Sequence, residues 1–223
     1  LDSLSWNFAD GTITPGIVGS SKNYTYQTAR SYRVRMTAFN SFGCQDSTEQ
    51  TVIVRANPDA DFYINNNSQC LNTNAFDLTN NSQPNNGNAN MSYTWEFGDS
   101  TTSSSRNIKK TYLNDGAKTI RLITSNSDGC VDTIEKNVTV RSMPVASFNI
   151  NTVNQCVNQN AYNFADISTI RSGGGTLSRV WTLGDGTVSN QKNISNKTYT
   201  IAQNYNVQLI SRSNFNCADT LIK

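Results

Sequence analysis

An internal repeat of about 86 residues constrains the fold of this chain more than any other feature of its sequence. A tryptophan-led motif occurs three times, as WNFADG from Trp6, WEFGDS from Trp95 and WTLGDG from Trp181. The motifs start 89 (95 − 6) and 86 (181 − 95) residues apart. A cysteine follows each motif after an alternating run, at Cys44, Cys130 and Cys217. Because these landmarks share one period, the sequence indicates a tandem array of one structural unit.

The period also predicts the domain boundaries. Residues 1–56 hold the C-terminal part of one repeat, 57–142 a complete repeat, and 143–223 a repeat lacking most of its last strand. Since both ends of the sequence cut through a repeat, we expect a segment of a longer array, with further repeats of the same polypeptide as its partners. The connecting segments RANPDADF and RSMPVASF are short and carry one proline each, which favours a fairly stiff connection.

Side-chain alternation within each repeat predicts β-strands. In the second repeat Tyr93, Trp95 and Phe97 alternate with polar residues, so one strand face is apolar and the other polar. Trp6 and Trp181 occupy the same place in their repeats, and we expect all three tryptophans in the core rather than stacked on sugars. About seven such short strands per repeat, separated by turn residues, indicate an all-β, immunoglobulin-like two-sheet sandwich.

Composition excludes several classes of function. The chain carries a formal net charge of +2, which gives no electrostatic reason to expect nucleic acid or an anionic membrane as partner. It contains no histidine, which removes histidine-based catalytic triads and imidazole zinc ligands. No apolar run approaches the roughly 20 residues of a membrane-spanning helix. The five cysteines lack the CxxC spacing that is typical of zinc sites. The sequence therefore favours disulfides in an oxidising compartment.

The repeats resemble PKD domains, a family named from polycystic kidney disease. The resemblance rests on WEFGDS…KTY…GAKTIRLITSN in the second repeat and WTLGDG…KTY…QNYNVQLISRS in the third. It covers nearly the whole chain and implies tandem sandwiches without an active centre. The cysteine placement and Asn-rich style are similar to PKD arrays of Bacteroidota surface proteins, which include large adhesins, some used in gliding motility and exported by the type IX pathway.

The aspartates that follow the motif strand, Asp10, Asp99 and Asp185, admit two interpretations. They could serve catalysis or bind calcium, or their carboxylates could accept backbone N–H bonds within a turn. Catalysis by paired carboxylates needs a second acid at a fixed place in the repeat, and the sequence has none. The turn interpretation is therefore preferred, and the chain is expected not to be an enzyme.

Two further stretches are candidate ligand sites. Asp59 and Asp61 in NPDAD could hold calcium, but the next repeat has Val145 and Ser147 at the equivalent positions. A structural ion site should recur with the array, so we expect no cofactor. The run Gly173-Gly174-Gly175 lacks a phosphate-binding context and is predicted to be a flexible loop.

The cysteines allow more than one pairing. Pairs within repeats would be Cys70–Cys130 and Cys156–Cys217. In an immunoglobulin-like sandwich these partners lie at opposite ends of strands that span roughly 20 Å, whereas a disulfide tolerates a Cα separation of about 7 Å. The bond Cys70–Cys217 between repeats avoids this conflict and is preferred. It would leave Cys44, Cys130 and Cys156 to partners in further repeats; pairing within repeats and free thiols stay as alternatives.

A short motif after each downstream cysteine suggests a modification. The resemblance to Bacteroidota surface proteins implies O-glycosylation of a Ser or Thr that follows Asp and precedes residues such as Ile, Leu or Thr. The matching candidates are Ser3, Ser47, Ser100, Thr133 and Thr220. Ordinary polarity of an edge strand explains these residues equally well.

The function expected from these observations is mechanical. The repeats would form a non-catalytic structural or adhesive segment of a long extracellular surface protein or filament, extending and presenting binding elements. Surface polysaccharide and other surface proteins are the expected partners beyond the array. The alternative is a spacer or carbohydrate-binding accessory region of a secreted hydrolase.

Overall fold

Every regular element of the described chain is a β-strand. The computed structural model describes residues 1–85, 90–171 and 175–223 of the 223 residues. It contains strands β1 to β21 in chain order, and no helix within those ranges. The all-β prediction is therefore confirmed. Gly173 and Gly174 of the predicted glycine loop lie outside the described residues.

The second repeat is a two-sheet sandwich. A three-stranded sheet has the order β10-β7-β5, and a five-stranded sheet has the order β6-β12-β11-β8-β9. The strands are β5 (Phe62–Ile64), β6 (Ser68–Cys70), β7 (Phe76–Asn80), β8 (Met91–Glu96), β9 (Thr102–Ser103), β10 (Ile108–Lys110), β11 (Gly116–Asn126) and β12 (Val131–Arg141).

The core of this sandwich lies between the two sheets and is centred on the motif tryptophan. Trp95 is fully buried and pairs in register with Leu122 on β11. Its indole meets the ring of Phe62, from the opposite sheet, edge to face at a centroid distance of 5.0 Å. Such a contact adds to the hydrophobic gain from the buried area, so the tryptophan joins the two sheets. Alternate residues of the flanking strands and two residues just beyond the ends of β8 and β10 complete the core, namely Phe76, Leu78, Phe97, Tyr112, Ile120, Val138 and Val140.

The third repeat has the same plan. One sheet has the order β14-β15-β19, the other the order β18-β17-β20-β21, and a short pair β13-β16 flanks them. Trp181 is again fully buried, and its ring lies 5.1 Å from that of Phe148 across the sandwich. The strands are β13 (Pro144–Val145), β14 (Phe148–Ile150), β15 (Tyr162–Asp166), β16 (Thr169–Ile170), β17 (Leu177–Thr182), β18 (Val188–Ser189), β19 (Asn193–Lys197), β20 (Gln208–Ser213) and β21 (Ala218–Ile222).

The first repeat contributes a single sheet of order β2-β1-β3-β4. Its strands are β1 (Ser3–Asn7), β2 (Ile13–Gly16), β3 (Ser31–Phe39) and β4 (Gln45–Ile53). The prediction that Trp6 lies in a core is only partly met, because Trp6 is half-buried. No second sheet faces it among the described residues, and its indole packs instead on the backbone at Gly16.

The turn after the motif strand has one conformation in all three repeats. A backbone bond closes it, from Phe8 to Thr12, Phe97 to Thr101 and Leu183 to Thr187. Its second and fourth residues have positive φ in every copy, which L-residues adopt at a cost. These positions are Ala9 and Gly11, Gly98 and Ser100, and Gly184 and Gly186. Ala9 and Ser100 thus stand where the other copies have glycine.

We expect opposite effects on stability from removing glycine at one positive-φ position of the second-repeat turn and from introducing glycine at the other. Gly98→Ala should destabilise the chain by about 1–3 kcal/mol, since a Cβ there would meet the Thr119 carbonyl oxygen at 2.8 Å. Ser100→Gly should stabilise it by roughly 0.5–1 kcal/mol by relieving a φ of 68°. Denaturant unfolding of both variants measures the two effects, and equal signs would contradict the common turn.

Candidate functional site

The motif aspartates sit in the turn that they were expected to close. Asp99 accepts hydrogen bonds from the Thr101 backbone N–H (3.2 Å) and hydroxyl (2.6 Å). The Lys110 ammonium lies 2.7 Å from its other carboxylate oxygen. Burial opposes ionisation of Asp99, but the bonds from Lys110 and Thr101 outweigh it and lower the pKa of the carboxyl group. Asp99 is therefore an ionised turn-closing group with both oxygens engaged.

The other two copies repeat this arrangement with one exchange of partner. Asp185 accepts from the Thr187 backbone at 3.0 Å and from the Lys197 ammonium at 2.5 Å. Its burial is again outweighed by these bonds, which lower its pKa to about 2. Asp10 accepts from the Tyr24 hydroxyl at 2.6 Å where the other repeats use lysine, and this bond is the main cause of its lowered pKa.

This geometry does not supply acid–base chemistry. A general acid or base needs a pKa near the working pH and access to substrate, whereas these carboxylates have lowered pKa values and internal partners. Nor does the described part of the chain group three or more metal-ligating side chains. Asp61, one of the two calcium candidates, pairs with the Lys136 ammonium at 2.8 Å, and the Asp59 backbone pairs with Gln83.

The buried aromatic side chains are anchored by their polar atoms. The Trp95 indole N–H donates to the Ser105 carbonyl at 2.8 Å, and the Trp181 indole N–H donates to the Gln191 carbonyl at 2.9 Å. The tyrosine that follows each motif donates its hydroxyl to a carbonyl within the motif, from Tyr199 to Leu183 at 2.7 Å. Burial raises the pKa of Tyr199 to about 12. Trp95 and Trp181 are fully buried, so neither ring face is open to a sugar.

The most specific assembly of side chains lies at the joint between the second and third repeats. Cys70 and Cys217 form a disulfide with a Cα–Cα distance of 5.5 Å. Cys70 pairs in register with Arg141 at the end of β12, and Cys130 directly precedes the start of that strand. Eleven residues of strand span roughly 35 Å, which rules out a Cys70–Cys130 bond. The structure thus contains the pairing between repeats and neither pairing within a repeat.

Polar and aromatic contacts surround this disulfide. The Arg141 guanidinium stacks over the Phe215 ring at 3.8 Å from its centroid, a cation–π contact between repeats. Asp115 accepts a hydrogen bond from the Ser142 hydroxyl and pairs with Arg171 of the third repeat at 3.4 Å. The Ser142 bond, and after it the Arg171 charge, lower the pKa of Asp115. The joint therefore has covalent, stacking and ionic components.

The joint between the first and second repeats uses other contacts. Arg55 in the linker pairs with Asp128 at 2.6 Å. The Asn126 side-chain amide donates to the Ala56 carbonyl at 2.9 Å, while its oxygen accepts from the backbone of Asp128 and Cys130. Cys44, Cys130 and Cys156 have free thiols, and Cys44 and Cys156 are exposed.

The aspartate two residues after Cys130 or Cys217 has a structural role that sequence reasoning missed. The Asp132 carboxylate accepts from the Ala60 backbone N–H at 2.8 Å, and Asp219 does the same for Ala146. Each ties the linker that enters a repeat to the last hairpin of that repeat. The recurrence of Asp 72 or 73 residues after an alanine was the only available signal. The neighbouring hydroxyl candidates are all exposed, namely Ser3, Ser47, Ser100, Thr133 and Thr220.

Comparison with known sequences assigns each repeat to the same kind of domain. Sequence profiles described as PKD domain match residues 3–54, 55–142 and 141–222. The predicted boundaries at residues 56 and 142 stay predictions. No curated protein sequence matches the chain. Among the described residues, none belongs to a helix with the length and apolar character required to cross a membrane.

Several solved structures are similar to this chain at low sequence identity. The PKD1 domain of the Vibrio cholerae metalloprotease PrtV is 24% identical, covers 38% of this chain and 98% of its own length, and gives a TM-score of 0.33. The PKD1 domain of Vibrio anguillarum Epp is 23% identical, with 39% and 95% covered and a TM-score of 0.33. Three N-terminal domains of the bacteriophage RB49 capsid protein Hoc are 11% identical, with 99% and 84% covered and a TM-score of 0.49.

The Asp185–Lys197 pair predicts a defined acid sensitivity. Since the folded-state pKa of Asp185 is lowered to about 2, its contribution is present above the unfolded value of 3.8 and lost as pH falls toward 2. Asp185→Asn should cost about 1 kcal/mol at pH 7, allowing for solvent screening of a partly exposed pair. Urea unfolding at several pH values should show this deficit shrinking between pH 4 and 2. A deficit independent of pH would contradict the ionic origin of the effect.

Proposed function

This chain belongs to the PKD domain family, and from that premise we propose that it is a non-catalytic, load-bearing spacer segment of an extracellular surface protein. The observation that carries the proposal is the Cys70–Cys217 disulfide. It joins two consecutive repeats through cysteines that lie 147 residues apart in sequence. A bond of this kind adds nothing to ligand recognition, whereas it determines how tension passes along the array.

The disulfide offers a short covalent path for force. Tension applied at the two ends of the chain enters the second repeat, reaches Cys70, crosses the sulfur atoms to Cys217 and leaves through β21. The residues between the two cysteines, which include Trp95, Trp181 and most of both cores, lie outside this path. The segment between Cys70 and Cys217 therefore cannot be extended by this tension while the disulfide is intact.

The polar contacts at the joints restrict the angle between neighbouring repeats. Ion pairs such as Arg55–Asp128 and Arg171–Asp115 are partly exposed and individually weak. Each is combined with a linker hydrogen bond or a stacking contact, so that the group of contacts restricts bending of the joint. An array with restricted joints extends further for a given number of residues than one with flexible linkers.

The same bond supports an extracellular location, and the resemblance of the cysteine pattern suggests the partners. Disulfides persist in oxidising compartments, so the Cys70–Cys217 bond supports a location outside the cytoplasm. On the similarity of its cysteine pattern to Bacteroidota surface arrays, we assign it to an adhesin or a gliding-motility protein exported by the type IX pathway. Its partners would then be further repeats of the polypeptide, together with surface polysaccharide or other surface proteins.

Pulling the single chain by its ends tests the load-bearing role. The oxidised chain should unfold without releasing the 147 residues closed by the disulfide. The double variant Cys70→Ser/Cys217→Ser should release roughly 500 Å of additional contour length, at about 3.5 Å per residue. Single-molecule force spectroscopy measures this difference directly.

The matched control is Cys130→Ser, which removes a free thiol and should leave the released length unchanged. If the oxidised parent releases the full length at low force, the load-bearing proposal is wrong. Retention of the chain on a polysaccharide matrix, together with unaltered mechanics in the double variant, would instead favour a carbohydrate-binding accessory role.

We further propose that the exposed hydroxyl groups after Asp46, Asp132 and Asp219 carry O-glycans in the native protein. Ser47, Thr133 and Thr220 are exposed on the last strand of each repeat, so a glycan there would not disturb either core. Peptide mass spectrometry of material from the native host should find a hexose-containing mass on at least one of them. Finding all three unmodified at full peptide coverage would rule the proposal out.

A further inference from the structure

The second repeat begins with a stretch of chain that joins each of its two sheets only at an edge. This entry segment, residues 57–70, contains β5 and β6, which have three residues each. β5 is an edge strand of the three-stranded sheet, and β6 is an edge strand of the five-stranded sheet. Edge strands with so few pairings belong to the parts of a domain that open locally at low cost in free energy. The entry segment ends at Cys70, the second-repeat partner in the disulfide between repeats.

The two halves of the entry segment are anchored differently. In the first half, Ala60 and Phe62 are buried in the core, with 5% and 0% of their surface exposed. In the second half, Ser68, Gln69 and Cys70 of β6 are only half-buried, and three backbone pairings with β12 hold them together with polar contacts. Whether Cys70 stays in place therefore depends on how firmly the first half is held.

Two side chains of β12 hold this first half across the open edge between the sheets. The Asp132 carboxylate accepts a hydrogen bond from the Ala60 N–H at 2.8 Å. The Lys136 ammonium donates to the Asp61 carboxylate at 2.8 Å and to the Phe62 carbonyl. It also lies 4.9 Å from the centre of the Phe62 ring. Because β12 and β5 belong to different sheets, we call the pair Asp132 and Lys136 the edge clamp.

The edge that the clamp crosses is not closed by packed side chains. A groove of about 490 Å³ opens beside Lys136, lined among others by Asn67, Asn81 and Asn137. The lysine side chain spans the two sheets at this groove, so its polar contacts do what apolar packing does in the core.

The same clamp recurs in the third repeat. Asp219 accepts a hydrogen bond from the Ala146 N–H at 2.8 Å. Lys223 donates to the Phe148 carbonyl at 2.6 Å, and its ammonium lies 4.9 Å from the centre of the Phe148 ring. Recurrence of both side chains with equivalent partners indicates that the clamp belongs to the module and not to one repeat.

The disulfide at the end of the entry segment is shielded. Cys217 is 1% exposed and Cys70 is half-buried. The Arg141 guanidinium, which donates to the Ser68 hydroxyl at 2.8 Å, stacks over the Phe215 ring beside the bond. A thiol can reduce a disulfide only if it reaches one of the sulfur atoms, so access limits the rate. Detachment of β6 from β12 would uncover the Cys70 sulfur.

We propose that the edge clamp is a gate that controls access of thiol reductants to the Cys70–Cys217 disulfide. While Asp132 and Lys136 hold the first half of the entry segment, β6 stays paired with β12 and the bond stays shielded. Loss of the clamp lets the entry segment detach and presents the bond to solvent, with the rest of both sandwiches folded. The gate opens without applied load, so this inference does not rest on the load-bearing role proposed above.

Reduction through the open gate is an ordinary thiol–disulfide exchange. One thiolate of dithiothreitol attacks the Cys70 sulfur, and Cys217 leaves as a thiolate. The second dithiothreitol thiolate then attacks the dithiothreitol sulfur of the mixed disulfide, expels the Cys70 thiolate and closes a cyclic disulfide. The protein disulfide gains two electrons and two protons, and dithiothreitol loses them.

The test measures how fast dithiothreitol reduces the oxidised full chain under native conditions, after the other thiols have been blocked with N-ethylmaleimide. Mass spectrometry of alkylated peptides containing Cys70 and Cys217 reports the extent of reduction. We expect Lys136→Met to be reduced about tenfold faster than the parent, since a partly exposed side chain loses two hydrogen bonds and a cation–π contact. Asp132→Ala should also be faster, whereas Asp132→Asn keeps an oxygen acceptor for Ala60 and should stay near the parent rate.

Lys110→Met is the matched control. It removes a lysine of the same repeat that pairs with Asp99 at 2.7 Å, outside the entry segment, and should leave the reduction rate unchanged. Hydrogen exchange gives a second reading, because amides of residues 62–70 should exchange faster in Lys136→Met while those of β11 keep the parent rates. Reduction of Lys136→Met at the parent rate would overturn the proposal. Equal acceleration by Lys110→Met would overturn it as well, because reduction would then proceed through global unfolding.

Discussion

The edge-to-face contact of a motif tryptophan with a phenylalanine of the opposite sheet is the interaction on which each two-sheet repeat depends. Trp95 meets Phe62, and Trp181 meets Phe148, at nearly the same distance and angle. The indole N–H in turn holds the segment that leads to the tyrosine, so one side chain positions both sheets and the connecting loop. Where the second sheet is absent from the described chain, Trp6 is left half-buried.

The length of the last hairpin determines how repeats can be joined. In the second repeat, β11 and β12 have eleven residues each, so the hairpin tip with Cys130 is a full strand length from Cys70 on β6. A module with cysteines at opposite ends cannot close a bond within itself. It can only bond to its neighbours, and the array acquires a covalent connection between repeats as a consequence of sandwich geometry.

Much of this architecture could be predicted from the sequence, because it depends on periodicity. The alternation around Trp95 indicated the core, the 86-residue spacing indicated the array, and the strand-length argument favoured Cys70–Cys217. The contacts at the joints could not be predicted, since pairs such as Arg171–Asp115 depend on how two repeats are oriented. The structural role of Asp132 could not be predicted either, because its bond to Ala60 links residues 72 positions apart. In the sequence, Asp132 is visible only as part of a candidate modification motif.

Variation among the hairpin tips shows how one module can serve different joints. The backbone of the turn is the same at Cys44, Cys130 and Cys217, so the cysteine always leaves the sheet in the same direction. The residue two positions earlier is free to vary, because its side chain lies outside the turn hydrogen bonds. Phe215 there suits the Arg141 guanidinium, whereas Asp128 suits the Arg55 side chain of the linker. The geometry of the bond is thus separated from the choice of neighbour, which allows an array to keep one fold while its joints differ in composition.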